Sequence, residues 1–198
     1  MATNKYSTSK HESESDILPN KLGLSTLHEI EKAEMEGFYV AYKLLFDGLN
    51  SRTKFNLKYI FKIHKTALDH LYAFAGKSRT VNMSKGGFMF PPAKFLSETL
   101  NQFDADILVK LPKDYSSKDD LIKDIAVVHA ELLFIHPFRE GNGRAARLLA
   151  SLMAAKAGYN LVGLEKFRKD NFDEYVSAIH QAAEKKYSKM IKIISSLF

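Results

Sequence analysis

His136-Pro137-Phe138-Arg139-Glu140-Gly141-Asn142-Gly143-Arg144-Ala145-Ala146-Arg147 lies between two apolar patterns of helical period, and those flanks decide the fold class. Before it, Leu121, Ile122, Ile125, Val128, Leu132 and Leu133 predict a core-facing helix of about 17 residues. That helix should end at His136, because the residue before a proline is biased away from helical angles. After it, Leu148, Leu149 and Leu152 predict a second helix over 143–157, closed by Gly158 as a C′ glycine.

The junction itself carries chemistry. Gly141-Asn142-Gly143 stands where loop becomes helix, and glycines there let the backbone approach a ligand closely. A helix N-terminus adds unpaired N–H groups and partial positive charge, and Asn142 adds a side-chain donor, so the turn is an expected anion cradle. Arg144, Arg147 and Ser151 recur at i, i+3 and i+7 and share a helix face. Two guanidiniums over one cradle point to more than one phosphate. Glu140 fits such a site if a cation such as Mg2+ bridges carboxylate and phosphates. His136, at the end of the preceding helix, is the candidate base for a hydroxyl nucleophile. The Walker spacing is missing, and no strand precedes the glycines. His129, one heptad before His136, would pair with it as a metal ligand only with a third donor.

Outward from the junction the pattern stays helical. Residues 1–16 are polar and expected to be disordered, with one domain over 17–198. Thr26-Leu27-His28-Glu29 predicts a capping box opening a helix to about Leu49, weakened by Gly37. A second helix is expected over 53–70, with His64 and His70 as packing or surface residues. The period then changes. Arg79-Thr80-Val81-Asn82-Met83-Ser84 alternates, Lys85-Gly86-Gly87 interrupts, and Phe88-Met89-Phe90 resumes before Pro91-Pro92. This predicts a β-hairpin with no other strand to join, resting on helices. Its exposed edge is expected to pair with an incoming extended segment. Helices over 93–108, 169–183 and 184–195 complete the pattern.

Composition narrows the rest. Hydrophobic residues make up 45% of the 198, enough for a sizeable core. Cysteine is absent, which excludes disulfides, thiolate metal sites and a cysteine nucleophile. No apolar run is long enough to span a membrane, and residues 1–15 carry no signal-peptide core, so a cytoplasmic protein is expected. The net charge of +6 suits an anionic nucleotide, while no nucleic-acid-binding motif accompanies it. The C-terminal lysines read as a solvated helix face.

The junction resembles the signature of the Fic family, H-x-F-x-[DE]-G-N-G-R-x-x-R, at every specified position. The likeness continues through Phe74–Asn82 and Phe90-Pro91-Pro92, the family's flap segment, and covers about residues 18 to 195. It implies a Fic-type all-α bundle of about seven to eight helices with one β-hairpin flap. It also implies a protein adenylyltransferase, moving AMP from ATP to a Tyr, Ser or Thr hydroxyl of a target protein. In that scheme His136 deprotonates the hydroxyl, Phe138 anchors the loop in the core and Glu140 holds Mg2+. Gly141, Asn142 and Gly143 cradle phosphates, with Arg144 on the β- and Arg147 on the γ-phosphate. The flap, Arg79 through Phe90 (Thr80, Val81, Asn82, Met83, Ser84, Lys85, Gly86, Gly87, Phe88 and Met89 between them), clamps the target. The alternatives are a same-fold transferase of phosphate or another nucleotide, and a catalytically silent nucleotide-binding module. Gly143 stands where the kinase variant has lysine, which favours AMP transfer.

Many family members carry [ST]-x-x-x-E-[GN], whose glutamate restrains the second motif arginine. Here Thr8–Glu12 is followed by Ser13, Ser25–Glu29 by Ile30, and Glu36-Gly37 has Lys32 in the hydroxyl position. The resemblance therefore implies either a separate antitoxin-like inhibitor or an unrestrained Arg147. No signature of oligomeric state accompanies it.

Overall fold

The computed structural model describes residues 17–85 and 88–198, together with the backbone of Ser7–Thr8. Eight α-helices dominate the described residues: α1 (Leu27–Asp47), α2 (Leu57–Leu68), α3 (Leu96–Asp106), α4 (Lys118–Ile135), α5 (Asn142–Lys156), α6 (Leu164–Asp170), α7 (Phe172–Gln181) and α8 (Ser188–Ser195). Three short strands complete them: β1 (Ser7–Thr8), β2 (Met83–Lys85) and β3 (Phe88–Met89).

Local chemistry explains most boundaries. The Thr26 side chain accepts from the Glu29 N–H while the Glu29 carboxylate accepts from the Thr26 N–H, which fixes the start of α1. Helix α2 starts at Leu57 rather than near Thr53, because Asn56 caps it through the Tyr59 N–H. Ser117 caps α4 in the same way through the Asp120 N–H. Gly158, at φ +82°, ends α5, and the Tyr159 N–H closes on the Ala154 carbonyl. The expected single helix over 93–108 is shorter and broken into parts, with one-turn 3-10 segments on either side of α3. Helix α6 begins earlier than expected, after Gly163 at φ +83°, and a break at Asn171 separates it from α7.

Helix α4 is the central post. Leu121, Ile125, Ala126, Val128, Leu132 and Ile135 are all buried, and the helix packs against α3, α5, α7 and α8. Burying each such large aliphatic side chain contributes about 1.5–3 kcal/mol. Helices α1 and α2 pack together and both reach α5. At their contact, Gly37 stands where a Cβ would lie 2.0 Å from the Ala67 carbonyl oxygen. The glycine that weakens α1 as a helix is therefore what lets α2 approach it.

The hairpin differs from expectation in two respects. Strand pairing begins only at Met83, since the Arg79 N–H donates to the Pro137 carbonyl instead of to a ladder. The hairpin is also not alone: β2 pairs on one side with β3 (Ser84 opposite Met89, Lys85 opposite Phe88) and on the other with β1 (Ser7 opposite Ser84, Thr8 opposite Met83). A two-residue polar strand carries no period that a sequence pattern can reveal. Apart from β1, the expected disordered segment 1–16 lies outside the described residues, as do Gly86 and Gly87.

Candidate active site

His136 ends α4 in the left-handed region, φ 53° and ψ 60°, unusual for a residue with a side chain. Its N–H still closes the helix on Leu132, and its Nδ1 lies 3.1 Å from the Leu133 carbonyl. Only a protonated Nδ1 can donate there, so the lone pair resides on Nε2. The ring is buried and stacks on Phe90 at 3.8 Å between centroids. Burial pushes its pKa down to about 3; the Leu133 bond opposes this, and the positive charges of Arg79 and Lys85 add smaller downward effects. The imidazole is neutral at physiological pH, the state a proton acceptor requires.

The loop after His136 is held from three directions. Phe138 is fully buried, stacked on His64 at 3.9 Å and edge-on to Phe61. His64 accepts from the Gly76 N–H at Nδ1 and donates from Nε2 to the Glu140 carbonyl, so it ties α2 to both the loop and the approach to the hairpin. Its pKa falls to about 4, chiefly through burial. The helical pattern marks His64 as a packing or surface residue; its two aimed hydrogen bonds are visible only in three dimensions. Asn142 bonds Phe138 twice, accepting from its N–H at 2.8 Å and donating to its carbonyl at 2.7 Å. The Asn142 side chain is therefore spent on closing the loop, and the donors the cradle presents to an anion are backbone ones. Gly141 takes φ 78°, and a Cβ there would meet Leu68 at 2.9 Å. The first intrahelical bond of α5 runs from the Ala145 N–H to the Gly141 carbonyl, so the N–H groups of 142–144 precede the helix ladder.

Arg144 and Arg147 are partly exposed on α5, while Leu148, Leu149 and Leu152 of the same helix are buried. Arg144 Nη2 meets Glu34 at 2.6 Å and Glu140 at 3.3 Å, with the Phe38 ring 5.0 Å from its Cζ. Glu140 also accepts from the Gly141 N–H. Arg147 Nη2 pairs with Glu165 of α6 at 2.8 Å, and Tyr175 is among the groups that act on its guanidinium. Tyr175 in turn donates to His129 Nε2, whose Nδ1 faces the Ala146 carbonyl. Both nitrogens of His129 are engaged within the protein, which removes it as a metal ligand. The glutamate on Arg147 comes from a place the family's inhibitory pattern does not indicate. Glu29, the candidate of the Ser25 match, closes the α1 cap instead, and Glu12 lies outside the described residues.

Among the described residues no group of three His, Asp or Glu side chains could enclose a metal ion. A single carboxylate at Glu140 nevertheless fits Mg2+ in its usual phosphate-bound form, where substrate oxygens and water supply the remaining positions.

The flap closes the other side. Arg79 is buried, and its Nε donates to the His136 carbonyl, Nη1 to Val81 and Nη2 to Pro91. Its guanidinium thus holds both ends of the hairpin against the residue carrying the base. Asn82 accepts from the Ala93 N–H, Met83 and Phe90 are buried, and Met89 is exposed. Of the expected target-facing residues, Arg79, Asn82, Met83 and Phe90 build the flap's base; β2 is paired on both sides, which leaves β3 as the flap strand with an open outer edge among the described residues.

Eight helices of the described residues and a short hairpin thus set a neutral histidine, a helix N-terminus and two arginines around one loop. A family model described as Fic/DOC family matches residues 54–154, and the chain belongs to that family. Protein adenylyltransferase Fic of Aedes aegypti is 27% identical over 177 residues, covering 88% of this chain and 35% of that protein. The Drosophila willistoni protein of the same name is 25% identical over 176 residues, 88% of this chain and 34% of its own length. The chain thus spans about a third of the length of these relatives. Among solved structures, the N-terminal FIC domain of Bep8 from Bartonella sp. 1-1C superposes with TM-score 0.76 at 19% identity, covering 94% of this chain and 93% of that one. BepC from Bartonella tribocorum, solved with bound AMPPNP, gives 0.74 at 18% identity and 93% of both.

Proposed function

We propose that this chain is a protein adenylyltransferase, moving AMP from ATP to a Tyr, Ser or Thr hydroxyl of a target protein. The observation that carries the reading is His136, a neutral imidazole with its lone pair on Nε2, fixed where α4 meets the N-terminus of α5 and its two arginines. The names of the insect relatives and the AMPPNP complex of BepC support it.

In this mechanism Nε2 of His136 takes the proton of the attacking hydroxyl. The hydroxyl oxygen bonds to the α-phosphorus, the bond to the β-phosphate oxygen breaks, and pyrophosphate leaves. The N–H groups of 142–144 and the guanidiniums of Arg144 and Arg147 orient the triphosphate and stabilise the developing charge. Glu140 would hold Mg2+, which supplies charge neutralisation along the phosphates. The target segment adds to the hairpin as a strand. On the β2 side such a strand would take the edge that Ser7–Thr8 occupies, in place of that segment. The reading places the enzyme in the cytoplasm, where ATP and Mg2+ are at hand; no helix among the described residues is long and apolar enough to cross a membrane. It leaves two possibilities for the restraint of Arg147: a separate antitoxin-like inhibitor, or none.

The test is incubation with lysate, Mg2+ and ATP labelled at either the α or the γ position. Transfer of α-label only is expected, and His136→Ala should lower it by at least about 100-fold while ATP still binds. Transfer of γ-label would replace AMP transfer with phosphate transfer, and unchanged labelling by the variant would remove His136 as the base.

A further inference from the structure

Helix α1 precedes the matched stretch 54–154, yet it delivers a carboxylate into the site. Glu34 is only 1% exposed, and burying a charge is costly unless it is paired and hydrogen-bonded. Both of its oxygens are engaged: Oε1 accepts from the Tyr72 hydroxyl at 2.7 Å, and Oε2 meets Arg144 Nη2 at 2.6 Å. Tyr72 is itself buried and stacked on Phe74, and burial, then Glu34, raises its pKa, so it stays a donor.

The same contact admits two opposite roles. Glu34 is either an internal anion that keeps phosphate off Arg144, or a fixed post that aims Arg144 at phosphate. Burial and donor count decide between them. A competing carboxylate must have somewhere to go when substrate arrives, and Glu34 is enclosed, tied by Tyr72 and carried on a 21-residue helix. A guanidinium carries five N–H donors. Glu34 and Glu140 both take Nη2, the Phe38 ring covers one face, and no hydrogen bond among the described residues engages Nε or Nη1. Donors therefore remain for an oxyanion. Glu140 makes the longer of the two contacts and is the group proposed to turn toward a cation. Glu34 is the contact that stays.

We propose that Glu34, with Tyr72 behind it, is a positioning residue that orients Arg144 toward the phosphates beyond the α-phosphate. The inference rests on the reading of Arg144 as a polyphosphate ligand, so its test carries a control for that reading.

The test uses the full chain with Glu34→Gln, Tyr72→Phe and Arg144→Ala, measuring affinities for ATP, ADP and AMP by calorimetry and confirming folding by circular dichroism. Glu34→Gln should weaken ATP and ADP by about tenfold and leave AMP within about twofold, with KM for ATP rising more than kcat falls. Tyr72→Phe should show the same selectivity at about threefold. It also keeps the Glu34–Arg144 pair, and so carries the test if Glu34→Gln does not fold. Equal loss for all three nucleotides would make Glu34 merely structural and overturn the proposal. Tighter ATP binding or faster transfer would make it a competitor and overturn it too. If Arg144→Ala is selective for ATP while Glu34→Gln is not, only the positioning role falls. If Arg144→Ala weakens all three alike, the reading of Arg144 falls and the proposal with it.

Discussion

His136 bends into the left-handed region as the last residue of α4, a conformation that costs of order 1 kcal/mol or more for a residue with a side chain. The surrounding bonds repay it: Leu132 and Leu133 hold its N–H and Nδ1, and Arg79 holds its carbonyl. The same burial that fixes the ring keeps it neutral, and this has a kinetic consequence. With a pKa of about 3, loss of the base form cannot set the acid limb near 6.5; kcat/KM should hold to about pH 5, provided the protein remains folded. A pH–rate profile that halves near 6.5 would show that the ring titrates as an ordinary histidine. The local motif was legible because proline, glycines and arginines impose their geometry within twelve residues. Its partners were not. Glu34 reaches Arg144 across 110 positions, and nothing in an amphipathic pattern distinguishes a buried glutamate from a solvated one. Glu165 is likewise invisible as the partner of Arg147. It is 44% exposed and shared with Arg168 and Lys169, the setting in which an ion pair contributes about 0–1 kcal/mol. Glu165→Gln should therefore raise ATP affinity by no more than about fivefold, measured by titration. A far larger gain would make Glu165 an internal inhibitor and remove the need for a separate one.

At the scale of elements, the flap is joined to the base through one side chain. Arg79 spans the carbonyls of His136, Val81 and Pro91, three acceptors that only a broad, planar donor array can reach together. Lysine in its place keeps the charge but not the span. Arg79→Lys should lower thermal stability by about 1–3 kcal/mol and reduce target modification more than it weakens ATP binding. Unchanged transfer in a folded variant would show that the hairpin and the base are independent. The hairpin's position was legible from the switch to alternation and the glycine pair. Its start was not, because the Arg79 N–H goes to the Pro137 carbonyl rather than into a ladder. Helices α4 and α5 were placed nearly to the residue by proline, Gly158 and the apolar period. The stretch beyond Gly158 was harder, since α6 is only two turns and carries a charge at almost every position.

Across the whole molecule, the site is a seam rather than a pocket in one element: α1 supplies Glu34, α2 His64, the hairpin Arg79 and Phe90, and α5 the arginines. Three buried histidines lie along that seam, His64 with a pKa of about 4 and His129 and His136 of about 3. Each binds a proton more readily unfolded, at about 6.5, than folded. Their contribution is therefore fully present above pH 6.5 and is lost as pH falls toward 4 and then 3. Each weakens folding by up to about 1.4 kcal/mol per pH unit in that window. Chemical denaturation should show stability level from pH 7 to 8 and falling steeply below 6; a flat profile to pH 4 would mean the histidines are protonated in the folded protein. The central claim concerns which phosphorus is attacked, and the small product reports it most directly. With ATP, Mg2+ and a lysate containing an acceptor, the account predicts pyrophosphate released in a one-to-one ratio with AMP-modified protein, both lost in His136→Ala. Release of ADP in step with protein modification would contradict it.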